Sequence, residues 1–328
     1  MNIAIVGAGK IGEKRAKACK ELGLDITTVV DIDFEKAYNL SISYNIPFIC
    51  KNYEEMFSQD PIDMVIVSTT NNMLYPVSKL AIEHGKHVLV EKPGGMNSKQ
   101  LFDLMQLSRQ NKIYIRVGYN HRFHPSVIKM LDIVYAYGIG DIMYIKGEYG
   151  HGGKRFESGW RTDKSLCGFG DFGEKGIHLI DLSQYLISDL KYHCGSIDCL
   201  YKKDDLDDNS FVILKNNNKQ VAFLHSSTTE WNAIFKFSVH GTHGNLIIEG
   251  LNGIYGKEVL TFNKQIKNSP VPDVIKFEYL DRDYSWLTEI KHFIQFINNK
   301  HVSNIEDAYN NMKIVEEAYR DNGINYEI

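Results

Sequence analysis

A short aliphatic run near the start of the chain leads directly into a glycine-rich turn. Residues 3–6 read Ile-Ala-Ile-Val, and three glycines with GxGxxG spacing follow them at the head of a helical stretch. In a strand–turn–helix context the first glycine makes the tight turn, the second admits a pyrophosphate, and the third packs helix on strand. Free amides at the helix start attract phosphates. The pattern predicts a dinucleotide site formed by Gly7, Gly9, Lys10, Ile11 and Gly12.

Short aliphatic runs alternate with stretches of helical periodicity up to about residue 118. Continuously apolar strands separated by helices indicate a parallel sheet covered on both faces. The predicted strands are 3–6, 26–30, 64–67, 87–90 and 113–117, and the predicted helices are 11–22, 34–44, 75–84 and 98–110. The sequence therefore predicts an α/β fold that begins with a doubly wound domain, residues 1–120.

Strand-like runs with closely spaced turns dominate after a helical stretch at 126–137. Such spacing between about residues 142 and 277 favours antiparallel pairing. The predicted strands include 211–214, 221–224, 235–239 and 246–248, and the predicted helices are 172–186, 285–298 and 305–319. We assign residues 121–328 to a second domain.

The charge balance excludes several classes of protein. Thirty-seven basic and 41 acidic side chains give a formal charge of −4, so the chain has no overall attraction for nucleic acid or an anionic membrane. No apolar run approaches the roughly 18 residues of a membrane helix. The five cysteines form no CxxC pair and are typical of free thiols. Because residues 2–6 already resemble a buried strand, we expect no targeting peptide and a cytoplasmic protein.

An acidic residue follows the second predicted strand. Asp31 lies nineteen residues after Gly12, where a carboxylate binds the ribose hydroxyls of a dinucleotide. A carboxylate accepts from the 2′-hydroxyl of NAD and repels the 2′-phosphate of NADP, and Asp33 adds to that repulsion. The sequence favours NAD, although the nearby Lys36 keeps NADP open.

Three segments resemble the glucose-fructose oxidoreductase, inositol dehydrogenase and rhizopine catabolism (Gfo/Idh/MocA) family. They are residues 69–93, ending in Glu-Lys-Pro, residues 117–125, VGYNHRFHP, and residues 174–182, EKGIHLIDL. The resemblance implies an NAD-binding Rossmann domain and a C-terminal α/β domain with an open, mostly antiparallel sheet for substrate binding and oligomer contacts. It also implies hydride exchange between NAD(P) and a hydroxyl of a sugar, sugar acid or sugar nucleotide, in a homodimer or homotetramer.

The same resemblance assigns roles to single residues. Lys92 matches the catalytic lysine of the family, and His178 matches the histidine of its Asp-x-Gly-x-His segment. Glu174 replaces the aspartate of that segment, which keeps the carboxylate and lengthens its reach. The cofactor residues implied around these motifs are Thr69, Asn71 and Glu91.

These residue types suit the oxidation of an alcohol. A base must meet the hydroxyl oxygen as the hydride leaves carbon, and Lys92 follows a predicted parallel strand, where open α/β sheets bind ligands. Glu174, His178 and Asp181 have i, i+4 and i+7 spacing, which places them on one face of a helix. The same face could instead bind a divalent metal, but a lysine base removes the need for one, and we expect no metal.

Basic side chains concentrate between residues 120 and 165. A glycine-rich loop, residues 151–165, carries Arg155 and Arg161, whose guanidinium groups suit a carboxylate or diphosphate on the substrate. The alternative is a solvated loop without a ligand. The predicted substrate-binding residues are Asn120, Arg122, Arg155, Arg161 and Asp181.

Two other functions fit this sequence. Because fold does not fix function, a non-catalytic regulator that senses NAD or sugar is one alternative. An NAD-dependent glycosidase, in which transient oxidation assists glycosidic cleavage, is the other. Release of free NADH during turnover distinguishes a dehydrogenase from the glycosidase.

Overall fold

A parallel sheet carries the first part of the chain. The computed structural model describes residues 1–58, 61–152, 159–201, 206–279, 282–299 and 304–324. The strands of this sheet are β1 (Asn2–Val6), β2 (Asp25–Val30), β3 (Phe48–Cys50), β4 (Met64–Val67), β5 (His87–Glu91) and β6 (Ile115–Gly118). Their order is β3-β2-β1-β4-β5-β6, and every neighbouring pair is parallel. The strand order reverses between β1 and β4, so the carboxyl ends there form the crevice in which such sheets bind ligands.

Helices cover both faces of this sheet. They are α1 (Lys10–Glu21), α2 (Phe34–Tyr44), α3 (Asn71–Glu83) and α4 (Ser98–Asn111). The doubly wound domain predicted from the aliphatic runs is confirmed. β3 was missed because a strand of three residues shows no periodicity. α3 starts four residues earlier than predicted, with Pro76 inside it.

The second sheet is mostly antiparallel. Its strands are β7 (Ile142–Gly152), β8 (Lys191–Asp198), β9 (Asn209–Lys215), β10 (Val221–Ser227), β11 (Thr229–Gly241), β12 (Gly244–Glu249), β13 (Val259–Lys264) and β14 (Asp273–Glu278). The order is β14-β13-β12-β11-β7-β10-β9-β8, and β7 and β10 form its one parallel pair within the described residues. The predicted open, mostly antiparallel sheet is confirmed, and the parallel pair is the departure from simple meanders.

Further helices follow β6 along the chain. They are α5 (Pro125–Tyr135), α6 (Lys164–Cys167), α7 (Ile177–Leu186), α8 (Ser285–Asn299) and α9 (Ile305–Asp321). Ile290 and Phe293 of α8 belong to the apolar cluster formed by α1, α2 and one face of the first sheet. The chain therefore returns to the first sheet after completing the second, and the domain boundary at residue 120 stays a prediction. In the described ranges, no helix combines the length and apolarity of a membrane span.

A buried ion network fastens α1, β5 and α8 together. Arg15 is fully buried and donates through Nε to Glu91 Oε1 at 2.8 Å. Its Nη1 lies 2.6 Å from Glu289 Oε2, and its guanidinium lies over the Trp286 ring at 4.6 Å. Buried charges are tolerated only when they are paired in this way. The network thus fixes the end of β5, immediately before Lys92.

Replacing Arg15 by leucine should strongly destabilise the fold, because Glu91 and Glu289 would be left buried without their cation. Breaking one partner of a buried pair costs about 3 to 5 kcal/mol in the free energy of unfolding, measured by urea denaturation. Arg109→Leu is the matched control, since Arg109 forms an exposed pair with Glu306 at 3.2 Å and should cost less than about 1 kcal/mol. Equal losses in the two variants would contradict a special role for the buried network.

Candidate active site

A single crevice joins the carboxyl edge of the first sheet to the second sheet. On the side of the first sheet it is lined by Gly7, Gly9, Lys10, Ile11, Asp31, Ser68, Thr69, Asn71, Glu91 and Lys92. On the other side it is lined by Asn120, His121, Tyr149, His151, Trp160, Arg161, Asp171, Glu174, Lys175, His178 and Tyr255. Most residues predicted from the sequence therefore meet in one place.

The glycine turn leaves room for a ligand where the fingerprint requires it. Gly7 has φ +99°, and a Cβ on it would lie 2.4 Å from the Ser68 carbonyl oxygen. A Cβ on Gly12 would lie 1.9 Å from the Gly7 carbonyl oxygen, so this glycine packs beneath the turn. A Cβ on Gly9 would meet no atom within 4 Å. The open side of the turn suits a pyrophosphate approaching the amides at the start of α1.

Asp31 is held in place at the end of β2. Its Oδ2 accepts from the Ala8 amide at 2.7 Å, and its Oδ1 accepts from the Asp33 amide at 2.9 Å. Asp33 in turn caps α2 and pairs with Lys36, with Nζ and Oδ2 3.1 Å apart. The carboxylate of Asp31 thus has a fixed position beside the glycine turn, as a ribose-binding group needs.

Asn71 connects the loop after β4 to the opposite wall. It is the first residue of α3 and is buried, and its Nδ2 donates to the Cys167 carbonyl at 2.8 Å and to Glu174 Oε1 at 2.7 Å. Thr69, two residues earlier, also lines the crevice, and its hydroxyl donates to the Thr70 carbonyl at 3.1 Å. Asn71 is therefore positioned to orient Glu174, in addition to the predicted contact with a cofactor.

Lys92 and Glu174 meet at the centre of the crevice. Lys92 Nζ donates to Glu174 Oε2 at 3.0 Å and to the Glu174 backbone carbonyl at 2.9 Å. Arg161 Nε donates to the same Oε2 at 3.2 Å. Two cations and the Asn71 amide thus converge on one carboxylate, whose side chain is only 12% exposed.

These partners decide the charge of Glu174. Burial alone would raise the pKa of its carboxyl group, but Lys92 and Arg161 together with the Asn71 hydrogen bond lower that pKa to about 2. An opposite charge within hydrogen-bond distance favours the ionised form more than burial opposes it. Glu174 is therefore a carboxylate at neutral pH.

Two histidines lie face to face on the same wall. The rings of His178 and His121 are stacked with centroids 3.9 Å apart and an interplanar angle of 18°. Burial, together with the Lys92 charge for His178 and the two neighbouring imidazoles for His121, holds both pKa values well below the ordinary histidine range. Both rings are neutral at physiological pH, so each carries one N–H donor and one acceptor nitrogen.

Glu174 lies in a π turn, and the other two residues of the predicted helical face lie in the helix that follows it. The π turn is Phe172–Gly176, immediately before α7, so His178 and Asp181 share one regular helix. Glu174 and His178 still line the crevice, but the carboxylate of Asp181 accepts from Arg122 Nε at 2.7 Å and from Asn311 at 2.9 Å. The prediction that all three share one face is wrong, and the three do not converge as metal ligands would.

Arg122 and Asp181 form a buried ion pair behind the site. Arg122 also donates to Asp307 Oδ2 at 2.9 Å, and neither Arg122 nor Asp181 is among the described residues that line the crevice. The substrate contact predicted for these two residues stays a prediction, and in the structure they bond to each other. The only His/Glu group of metal-binding spacing among the described residues, Glu148, His225 and Glu230, lies on the second sheet outside the crevice.

The basic loop reaches the site in part. Arg161 lines the crevice and stacks on Trp160, with its guanidinium 4.2 Å from the ring centroid. Asn120 lines it as well and donates to the Ser285 hydroxyl at 2.9 Å. Arg155 lies outside the described residues. Of the described part of this loop, Arg161 is thus the cation that lines the crevice, and it is already bonded to Glu174.

Known proteins share this architecture along most of the chain. A family model described as "Oxidoreductase family, NAD-binding Rossmann fold" matches residues 1–119, and the "GFO/IDH/MocA C-terminal domain" matches residues 127–247. The chain belongs to the Gfo/Idh/MocA family.

Individual relatives are distant in sequence but alike over their whole length. A trans-1,2-dihydrobenzene-1,2-diol dehydrogenase of Xenopus tropicalis is 23% identical over 98% of both chains. A scyllo-inositol 2-dehydrogenase (NADP(+)) of Bacillus subtilis is 20% identical over 99% of this chain and 98% of its own. A solved structure of levoglucosan dehydrogenase with NADH and levoglucosan superposes with a TM-score of 0.87 at 18% identity, over 98% of this chain and 97% of the other. The last comparison shows the shared fold.

Several residues of this family member were not predicted to be in the site. His121 lies in the VGYNHRFHP segment, yet no spacing rule relates it to His178, and its place follows from the packing of β6 beside β5. Tyr149 and Tyr255 line the same wall with ring centroids 5.3 Å apart. Arg15 was missed as well, because the ion network that holds Glu91 forms only in the folded chain.

The stability contributed by Glu174 should depend on pH. Because its pKa is about 2 in the folded chain and 4.5 in the unfolded reference, ionised Glu174 stabilises the fold above about pH 4.5, on the order of 3 kcal/mol. The stabilisation should fade as the pH falls from 4.5 toward 2. Urea denaturation of wild type and Glu174→Gln at pH 7 and pH 3 measures the difference between the two proteins at each pH.

The exposed residue Glu306 provides the control. Glu306→Gln removes a solvent-screened carboxylate and should change the free energy of unfolding by less than about 1 kcal/mol at both pH values. A gap between wild type and Glu174→Gln that is as large at pH 3 as at pH 7 would show that its origin is not the ionised carboxylate.

Proposed function

We propose that this protein is an NAD-dependent oxidoreductase that exchanges a hydride between nicotinamide and a ring hydroxyl or ketone of a sugar or polyol. The observation that carries the proposal is the meeting of Lys92, Glu174 and His178 at the carboxyl end of β5, beside the open glycine turn. Residues 1–120 would hold the cofactor, and residues 121–328 would supply most of the substrate wall. The names of the relatives, which act on a diol, an inositol and an anhydrosugar, support this substrate class.

The cofactor side of the crevice fits a dinucleotide. The pyrophosphate would lie against the amides that follow Gly9, with Lys10 and Ile11 beside it, and the ribose would meet Asp31. Thr69, Asn71 and Glu91 would complete this side. NAD, when bound, supplies the hydride acceptor, and the residues of the chain handle the proton.

Lys92 would transfer the proton. Two of its three donor positions are used by Glu174, whose side chain and carbonyl hold Nζ in one place. In the oxidation direction, Lys92 would first release the proton of its third position and then accept the hydroxyl proton there as the hydride leaves carbon, and in reduction the Lys92 ammonium would give that proton to the ketone oxygen. Neutral His178 would hydrogen-bond the same oxygen, and Glu174 would fix the lysine.

Catalysis is favoured over a purely sensory role because the groups of a proton-transfer site are assembled. A sensor needs to bind its ligand but has no need of a lysine clamped by a buried carboxylate. The NAD-dependent glycosidase uses the same groups and is separated from a dehydrogenase by the fate of the hydride. Free NADH accumulates during turnover of a dehydrogenase and does not accumulate during turnover of the glycosidase.

Assembly and location extend the proposal. We propose a homodimer or homotetramer, supported by large apolar side chains exposed on the second sheet, among them Phe211, Phe223 and Trp231, at 42%, 43% and 72% exposure. The five cysteines are free thiols, which supports a reducing compartment such as the cytoplasm. The charge balance supports a small-molecule partner over nucleic acid or a membrane.

A substrate panel tests the function directly. Levoglucosan, the inositols, alkyl glucosides, sugar acids and sugar nucleotides are incubated with NAD and with NADP, and NADH or NADPH is followed by absorbance. Stoichiometric NADH with at least one polyol is the expected result. Hydrolysis of a glycoside without NADH accumulation would favour the glycosidase, and binding without turnover would favour the sensor.

Removing the amine of Lys92 should stop turnover and spare cofactor binding. Lys92→Met keeps most of the side-chain length but cannot accept a proton, so kcat should fall about 10²-fold or more, the range expected for loss of a general base. NAD affinity, measured by calorimetry, should stay near that of wild type. Lys79→Met, on α3 and paired with Asp103, is the control and should keep full activity; near-normal kcat in Lys92→Met would assign the base elsewhere.

Asp31 should set the cofactor preference. Asp31→Ser removes the carboxylate that faces the ribose, so NAD should bind more weakly and its advantage over NADP should narrow about tenfold or more, the size of a charged hydrogen bond. The ratio of kcat/KM for the two cofactors measures this. Asp25→Ser, at the exposed far end of the same strand, should leave the ratio unchanged. A wild-type protein that prefers NADP tenfold would refute the argument.

A further inference from the structure

His121 presents a second imidazole to the substrate, stacked on the first. It lies in the short turn Asn120–Phe123 that follows β6, the strand next to β5. It is 5% exposed and lines the crevice. Its ring is fixed by the face of His178 and by the edges of Tyr149 and Phe235, at centroid distances of 3.9, 5.2 and 5.5 Å. A neutral polar ring held this tightly is preorganised for a ligand.

Both stacked histidines line the crevice. Nδ1 of His121 and Nδ1 of His178 are both buried and have no hydrogen-bond partner among the described residues. The edge of each ring that can meet a ligand is therefore the Nε2 edge. Because the rings are nearly parallel with centroids 3.9 Å apart, and both residues line the crevice, a substrate held there meets two imidazoles in neighbouring positions.

We propose that His121 is a substrate-binding residue that holds the hydroxyl adjacent to the one oxidised, while His178 holds the reacting oxygen. The proposal rests on the function proposed above and narrows its substrates to vicinal diols presented edge-on to the two rings. A substrate without the second hydroxyl would leave the His121 edge buried without a partner, which such sites reject. His121 would then determine which carbon of a polyol faces the nicotinamide.

The proposal requires that His121, and no other group, binds the second hydroxyl. A thermodynamic cycle of kcat/KM values, with two enzymes and two kinds of substrate, tests this. The substrates are the polyol of the panel that reduces NAD fastest and its two deoxy analogues, each lacking one hydroxyl next to the oxidised carbon. The variant is His121→Phe, which keeps a flat ring in the stack and removes both nitrogens. In wild type, one deoxy analogue should lose about tenfold or more in kcat/KM relative to the parent polyol.

In His121→Phe that difference should disappear. The parent polyol should fall by about tenfold or more, whereas the sensitive deoxy analogue should change little, since it makes no contact with the lost nitrogen. His240→Phe is the matched control, because His240 stacks on Tyr144 at 4.3 Å on the second sheet, outside the crevice; both substrates should keep their wild-type values. His121→Asn, which retains a polar side chain, should recover part of the discrimination and serves if the phenylalanine variant does not fold.

Each outcome bears on one claim. Equal losses for polyol and deoxy analogues in His121→Phe and His121→Asn would reduce His121 to a packing residue and overturn the proposal. Equal kcat/KM for the polyol and both deoxy analogues in wild type would overturn it without any variant. If no polyol of the panel reduces NAD at all, the proposed function itself fails, which is a different result from a missing dependence on His121.

Discussion

The contact between Lys92 and Glu174 is the constraint on which the rest of the site depends. Lys92 follows β5 of the first sheet, and Glu174 lies in the π turn beside the second. Each charge alone would be buried at a cost of several kcal/mol, so the two stabilise the fold only when both walls of the crevice come together. Asn71 and Arg161 add bonds to the same carboxylate. The proton-transfer group is consequently fixed by the closure of the fold itself.

The charges around that carboxylate also bear on the stacked histidines. Glu174 is shared by two cations, Lys92 and Arg161, so the local balance remains positive. A positive surrounding, together with burial, disfavours a proton on either stacked imidazole. A neutral ring can donate a hydrogen bond to a hydroxyl oxygen or accept one from its hydrogen, and it adds no charge beside a cationic nicotinamide. The ion pair therefore fixes the position of the lysine, while burial first, and the nearby positive charge after it, keeps the histidines neutral.

Local signals were sufficient to predict most of the fold. The glycine spacing and the aliphatic runs depend on neighbours in the chain, and they identified β1, β2, β4, β5 and β6 with the helices between them. The Glu-Lys-Pro motif, which contains Lys92, and the segment with His178 predicted the centre of the site through the family resemblance. The π turn at Phe172–Gly176 was not predictable in this way, because periodicity assumes one constant rotation per residue. Asp181 lies beyond that turn, in α7, and its carboxylate is bonded to Arg122 and Asn311, contacts that the spacing of residues along a helix does not reveal.

Contacts between distant segments could not be predicted from the sequence patterns, for a different reason. Arg15, Glu91 and Glu289 come from three elements, and each alone is an ordinary charged residue whose burial is decided by tertiary packing. His121 is similar: its neighbours in the chain, Asn120 and Arg122, bond to α8, Asp181 and Asp307, which leaves the imidazole directed between them toward His178. The polar residues on either side of His121 thus hold the backbone in place. The position of the stacked ring follows from these tertiary contacts, which the spacing of residues in the sequence does not reveal.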